Sequence, residues 1–205
     1  MKTKFNTRVL TGTAMLAAVA TVLMYMEFPI PIMPAFIKLD VSELPALIAS
    51  FAYGPVAGIV VCLIKNLIKL PSTSTAAVGE LFNFVMGALF VGVAGMVYRF
   101  KKTRSGAILG AVLGALVMAI VSVPYNYFIV YPAYVVMYHL PLDAIIGMYQ
   151  AINPNVNGLL NCLLVFNLPF TFFKGMLDAV IWFAIYKPLS PILHGRNSGG
   201  KSVTA

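Results

Sequence analysis

Charge is the scarcest property of this sequence. Only 10% of its 205 residues are Asp, Glu, Lys or Arg, against about a quarter in a soluble domain, which excludes an ordinary water-soluble globule. Histidine and cysteine, the commonest metal ligands and nucleophiles, number two each. Cys62 and Cys162 stand inside apolar runs, where a thiol behaves as a small hydrophobe. His139 falls in a predicted outer loop and His194 in the tail. A disulfide framework, a metal site and a histidine-based catalytic centre are therefore not expected. The sequences H-E-x-x-H and G-x-S-x-G are also missing, as are paired carboxylates at one depth, so no enzyme chemistry is expected.

What the chain has instead is hydrophobicity, with 60% apolar residues and a mean hydropathy of +0.92. Apolar stretches at about 8–27, 43–70, 75–98, 106–130 and 157–187 are long enough to cross a bilayer as helix, which takes roughly 20 residues. The fold class is all-α, a polytopic protein of the lipid bilayer. The 14 Lys and Arg outnumber the 6 Asp and Glu, but they gather at the ends of apolar runs and read as orientation signals, so no nucleic acid partner is expected. Ala18-Val19-Ala20 resembles a signal cleavage site. The apolar run continues through Thr21 to Met26, however, and is read as the first transmembrane helix.

The stretch 43–70 decides the topology. Its centre, FAYGPVAG (51–58), holds Gly54 and Pro55, so the stretch is either a single tilted helix or two short helices joined by a turn. Charge decides between them: with one helix, three crossings would put Lys2, Lys4 and Arg8 on the opposite side from Arg99, Lys101, Lys102 and Arg104, whereas with two, four crossings put both clusters in the cytoplasm. The expectation is six transmembrane helices with both termini cytoplasmic, in one domain over 1–187, followed by a flexible basic tail at 188–205. Residues 43–53 then form a helix of about 16 Å, short of a ~30 Å hydrocarbon core, which must be enclosed by its neighbours or line a cavity. Lys65 and Lys69 fall toward the outside, against the charge rule. Two apolar connections, 28–40 and 131–155, lie outside as lids, the first kept extended by Pro29, Pro31 and Pro34.

Polar groups in membrane helices mark the candidate site, because a mid-helix charge costs ~2.5–3.5 kcal/mol to insert. Asn167, Thr171, Lys174 and Asp178 share one face of the last helix. Lys174 and Asp178, one turn apart, can neutralise each other. Asn126, in PYNYFIVYP, is ringed by Tyr125, Tyr127 and Phe128, while Glu80 and Asn83, in GELFNF, share a face. Together with Asp40 these groups can ring one outward pocket. Amide, hydroxyl and ammonium groups among aromatic rings suit a flat, mostly uncharged heterocycle. Gly195 through Ser202 fit G-x-x-x-x-G-K-[ST], but a phosphate loop needs a strand before it and a helix after it, and the tail offers neither.

Four segments, FPIPIMPAFIKLDVSELPALI (28–48), FAYGPVAGIVVCLIKNLIKL (51–70), STAAVGELFNFVMG (74–87) and PFTFFKG (169–175), together resemble the riboflavin-specific substrate-binding subunits, or S-components, of bacterial energy-coupling factor (ECF) vitamin transporters. The likeness runs over roughly 8–187. It implies a six-helix fold in the bacterial cell membrane and an outward vitamin pocket beneath the first loop. Riboflavin would be the transported ligand rather than a cofactor, with flavin mononucleotide as a related ligand. It implies ligand contacts from Asp40, Asn126 and Lys174. At position 171 the family commonly has Asn and this chain has Thr, a loss that Asn167, one turn earlier, can offset. Glu80 and Asn83 join these residues by position alone. Another vitamin, such as thiamine or biotin, is the alternative, and Glu80 would be the residue to test for a cationic ligand. In TGTAMLAAVAT (11–21), Ala14 and Ala18, with Ala17 and Thr21 beside them, permit close helix approach. The resemblance implies that Ala14 and Ala18 dock a transmembrane coupling subunit linked to two ATPase subunits, where any ATP would be spent.

Overall fold

Long apolar runs can satisfy their backbone in lipid only as helix or closed barrel, and this chain uses helix almost throughout. A computed structural model describes residues 7–194 apart from residues 35, 74 and 140, with backbone alone for Tyr138 and 186–194. In chain order it forms α1 (Thr7–Tyr25), a two-stranded antiparallel hairpin of β1 (Phe28–Pro29) and β2 (Lys38–Leu39), α2 (Glu43–Tyr53), α3 (Pro55–Lys69), α4 (Val78–Phe100) and α5 (Arg104–Tyr125). Then follow α6 (Tyr131–Tyr138), α7 (Leu142–Gln150), α8 (Leu159–Cys162) and α9 (Leu168–His194). Among the described residues, five helical stretches are long and apolar enough to cross a membrane: Thr7–Tyr25, Pro55–Ser72, Val78–Phe100, Arg104–Met137 and Leu159–Ile185.

The division between α2 and α3 falls at the expected place. Gly54 has φ 105° and ψ 164°, a region that side chains with a Cβ essentially do not enter. Pro55 opens α3, where its missing N–H is one the helix would leave unbonded anyway. The short α2 is enclosed, with every residue from Glu43 to Phe51 buried. Tyr53, at its end, meets Gly12 near the start of α1, while Lys69, at the end of α3, donates to the Met24 carbonyl near the end of α1 at 3.1 Å. Helix α2 therefore runs against α1, and α3 runs with it.

The remaining long helices continue the alternation. The Ser50 hydroxyl donates to the Val91 carbonyl at 2.6 Å, and Phe51 packs against Tyr98 and Trp182 with ring centroids 5.0 and 4.8 Å apart. These contacts set α2, α4 and α9 in one direction. Helix α5 runs back along α4 so closely that a Cβ on Gly114 would fall 2.5 Å from the Phe90 carbonyl oxygen.

Three expectations need correction. The segment 131–155 is not a loop without regular structure: it contains α6 and α7. The predicted end of the preceding helix near 130 is a π turn, Asn126–Val130, which joins α5 directly to α6. The reason is Pro132, whose ring would clash with the carbonyl four residues back in a regular helix. Widening the turn, so that Tyr131 N–H bonds the Asn126 carbonyl, lets the chain continue. The same device, Leu163–Asn167 with Leu168 N–H on the Leu163 carbonyl, precedes Pro169. At the C-terminal end α9 continues to His194, past residue 187. The motif Gly195–Ser202 and the rest of the tail lie outside the described residues.

Candidate binding site

Of the eight polar side chains singled out from the sequence, seven border one cavity, Asp40, Glu80, Asn83, Asn126, Asn167, Thr171 and Lys174, and Asp178 does not. Four structural devices bring them there. The β1–β2 hairpin ends in Asp40 and lays Phe36 and Ile37 over the cavity. The first turns of α4 supply Glu80 and Asn83. The two π turns supply Asn126 and Asn167, and the face of α9 that follows supplies Thr171 and Lys174. Phe82, Met86, Met118, Tyr131, Tyr134 and Phe170 complete the walls.

Lys174 is the electrostatic centre of the site. Its ammonium lies 2.9 Å from Asp40 Oδ2, 3.1 Å from Glu43 Oε2 and 3.5 Å from Asn83 Oδ1. The Asp40 contact spans 134 residues of sequence and ties the loop to α9. Glu43 Oε1 accepts from Lys65 Nζ at 2.7 Å, Lys65 also donates to the Ser42 hydroxyl, and Ser42 N–H donates to Asp40 Oδ1 at 2.9 Å. The result is a closed ring of five residues, two cations and two carboxylates among them. Burial works to raise the pKa of Asp40, but Lys174, Lys65 and the Ser42 hydrogen bond outweigh it and hold the carboxyl well below the usual range.

This geometry changes the reading of two residues. Lys174 is turned to Asp40 and Glu43, whereas Asp178, one turn along, is fully enclosed, with neither carboxylate oxygen hydrogen-bonded. The i, i+4 neutralisation considered from the sequence is not the arrangement found. Lys65, read from the sequence only as an exception to the charge rule, is an interior ion-pair partner of Glu43 with 0% exposure.

The other polar groups are held in place individually. Asn126 donates through Nδ2 to the Ser122 carbonyl at 2.8 Å. Glu80 Oε2 accepts from the hydroxyls of Thr73 and Thr75 at 2.8 and 3.0 Å. Asn167 Oδ1 accepts from Tyr149 Oη at 2.7 Å, and the Tyr149 hydroxyl also bonds that of Tyr131. Thr171 is buried on the cavity wall. Among the described residues, no three His, Cys, Asp or Glu side chains converge as metal ligands.

Sequence reasoning missed Glu27, Lys38, Glu43 and Lys69, which also border the cavity. Glu27 pairs with Lys38 and Lys69 at 2.8 Å each and braces the base of the hairpin. Burial opposes ionisation of Glu27, but its bonds to Lys38 and Lys69 prevail and lower its pKa. The signal lay in the pairing of Glu27 and Lys38 across a Pro-rich segment, a hairpin pattern that three prolines obscured. On α1, Ala14 and Ala18 are exposed on the outer face, but Ala17 is buried within the bundle and does not share that face.

Residues 8–186 match the family described as ECF transporter, substrate-specific component. The chain is 34% identical over 188 residues to the riboflavin transporter RibU of Staphylococcus aureus strain TCH60, covering 92% of this chain and 93% of that protein. It is 32% identical over 188 residues to the riboflavin transporter FmnP of Bacillus subtilis strain 168, covering 90% and 93%. Among solved structures it resembles one described as the S component of a bacterial ECF transporter, with TM-score 0.71 and 33% identity over 92% of this chain and 98% of the other.

Proposed function

This chain belongs to the family of ECF transporter substrate-specific components, and we propose that its cavity captures riboflavin, with flavin mononucleotide as a related ligand, for delivery across the membrane. A member of this family is a transporter component and not an enzyme. The observation that carries the reading is the convergence of the Lys174 ammonium, three amides, the Thr171 hydroxyl and the Asp40 and Glu80 carboxylates on one aromatic-walled cavity, in a chain whose relatives are named riboflavin transporters. Amide and ammonium donors suit the carbonyl-bearing edge of a flavin ring, and carboxylate and amide acceptors suit the hydroxyls of its side chain.

The protein is a multi-pass membrane protein, and we place it in the bacterial cytoplasmic membrane with six crossings and both termini inside. The alternating direction of α1 to α5 and α9 supports this count, with the enclosed α2 as the short crossing. Exposed Lys101, Lys102 and Arg104 at the α4–α5 connection sit at the end opposite the cavity, and the positive-inside rule makes that end cytoplasmic and the cavity outward. Its partners are a transmembrane coupling subunit and two ATPase subunits, with exposed Ala14 and Ala18 of α1 as docking residues.

The test is the visible absorption spectrum of the protein purified in detergent, followed by riboflavin titration. A stoichiometric flavin, or uptake of added riboflavin, is the expected result, and Asn126→Ala and Lys174→Ala each weaken binding in a folded protein. A colourless protein that takes up no riboflavin would move the reading to another vitamin such as thiamine or biotin. Unchanged affinity in both variants would remove the proposed contacts.

A further inference from the structure

Two members of the ring around Lys174 are engaged by charge within it, with Glu43 Oε2 held by its ion pair to Lys174 and by no hydrogen bond. Lys65 is fully enclosed, stays off the cavity wall and commits its ammonium to Ser42 and Glu43. Glu43 borders the cavity, yet its two oxygens face two lysines, at 2.7 and 3.1 Å. A lysine ammonium is a compact charge on a flexible four-carbon stem, so nearby anions decide where it rests. Asp40 pulls it toward the hairpin, and Glu43 pulls it toward the start of α2. Without Lys65 the remaining members, Asp40, Glu43 and Lys174, would leave one carboxylate uncompensated in an apolar interior, a costly arrangement. Lys65 restores two charges of each sign.

We infer that Glu43 and Lys65 form a positioning pair, which fixes the Lys174 ammonium at the cavity wall for its ligand. The inference rests on the riboflavin reading above. Of the three Lys174 contacts, the one to Asn83 is the longest, at 3.5 Å, and is the one that a ligand acceptor displaces. The Asp40 and Glu43 contacts stay in place and set the direction of the remaining N–H. Neither Glu43 nor Lys65 touches the ligand; both act through Lys174.

A double-mutant cycle on the full chain in detergent, read by equilibrium dialysis of riboflavin, tests this. Glu43→Gln/Lys65→Met removes both charges together, so that neither is left buried alone. It is expected to weaken riboflavin binding about tenfold in the otherwise unmodified chain. In a Lys174→Met background the same pair of changes is expected to cost about twofold or less. Equal losses in the two backgrounds would mean that the pair only supports the fold, and would overturn the inference. Where Lys174→Met binds too weakly for the cycle, the absorption band of flavin bound to Glu43→Gln/Lys65→Met decides: a band displaced from that of the unmodified protein supports positioning, and an unchanged band overturns it. If the unmodified chain binds no riboflavin, the riboflavin reading fails and takes this inference with it. Binding with equal losses overturns the inference alone.

Discussion

A hydroxyl stands at position 171, where an amide would offer a ligand one donor and one acceptor in a fixed plane. Thr171 is buried on the cavity wall, so a gain there would be made away from bulk water. Thr171→Asn is expected to raise riboflavin affinity about fivefold, the worth of one neutral hydrogen bond; no gain in a dialysis measurement would mean that Asn167 already fills that role. At this scale the sequence was informative in one direction only. Asn126, Asn167, Thr171 and Lys174 stood out because polar groups in apolar helices are costly and must have a purpose. Glu43 and Lys65 did not, because each lies toward the end of an apolar segment, where a charge reads as a flanking signal. Their contact, 22 residues apart across the Gly54 turn, is a tertiary fact that no local spacing encodes.

Elements depend on how their breaks are made, and proline has two different effects here. Beside Gly54 it divides a segment. Gly54→Val is expected to cost on the order of 1–3 kcal/mol through its forbidden backbone geometry, seen as a lower unfolding temperature in detergent; an unchanged temperature would show that α2 and α3 tolerate another turn. Pro132 and Pro169, by contrast, are absorbed by π turns that keep the helix going. Sequence reading foresaw the first case because Pro55 disfavours helix just before it and the two basic clusters require an even number of crossings between them. It missed the helical course beyond residue 130, since a widened turn has no residue signature of its own and depends on how neighbouring helices pack. Both π turns carry a cavity amide, Asn126 or Asn167, as the accommodation of proline shifts the helix face.

Across the whole molecule, the all-α class, the break at Gly54 and the enclosure of α2 were legible, because hydropathy and burial costs fix them. The hairpin was not, since three prolines obscured it, nor were the pairs of Asp40 with Lys174 and of Glu27 with Lys69, which join segments far apart in the chain. Those pairs give the fold a pH signature. Asp40 and Glu27 have lowered pKa values in the folded protein, so their stabilising effect is complete above the unfolded carboxylate range of about 4 and is lost as pH falls through the folded values. Thermal stability in detergent should thus be level between about pH 5 and 8 and decline under stronger acid, with a shallower decline in Asp40→Asn; an identical acid limb in that variant would exclude Asp40 as a contributor. The enclosed α2 also constrains biosynthesis. Its Glu43 takes one counter-ion from α3 and the other from α9, and Asp40 takes its own from α9. While the ribosome has yet to deliver α9, the nascent chain holds Asp40 without its lysine and a helix too short to rest stably in lipid by itself. A helix translated well after α2 is thus the one that locks Asp40 and Glu43 in place.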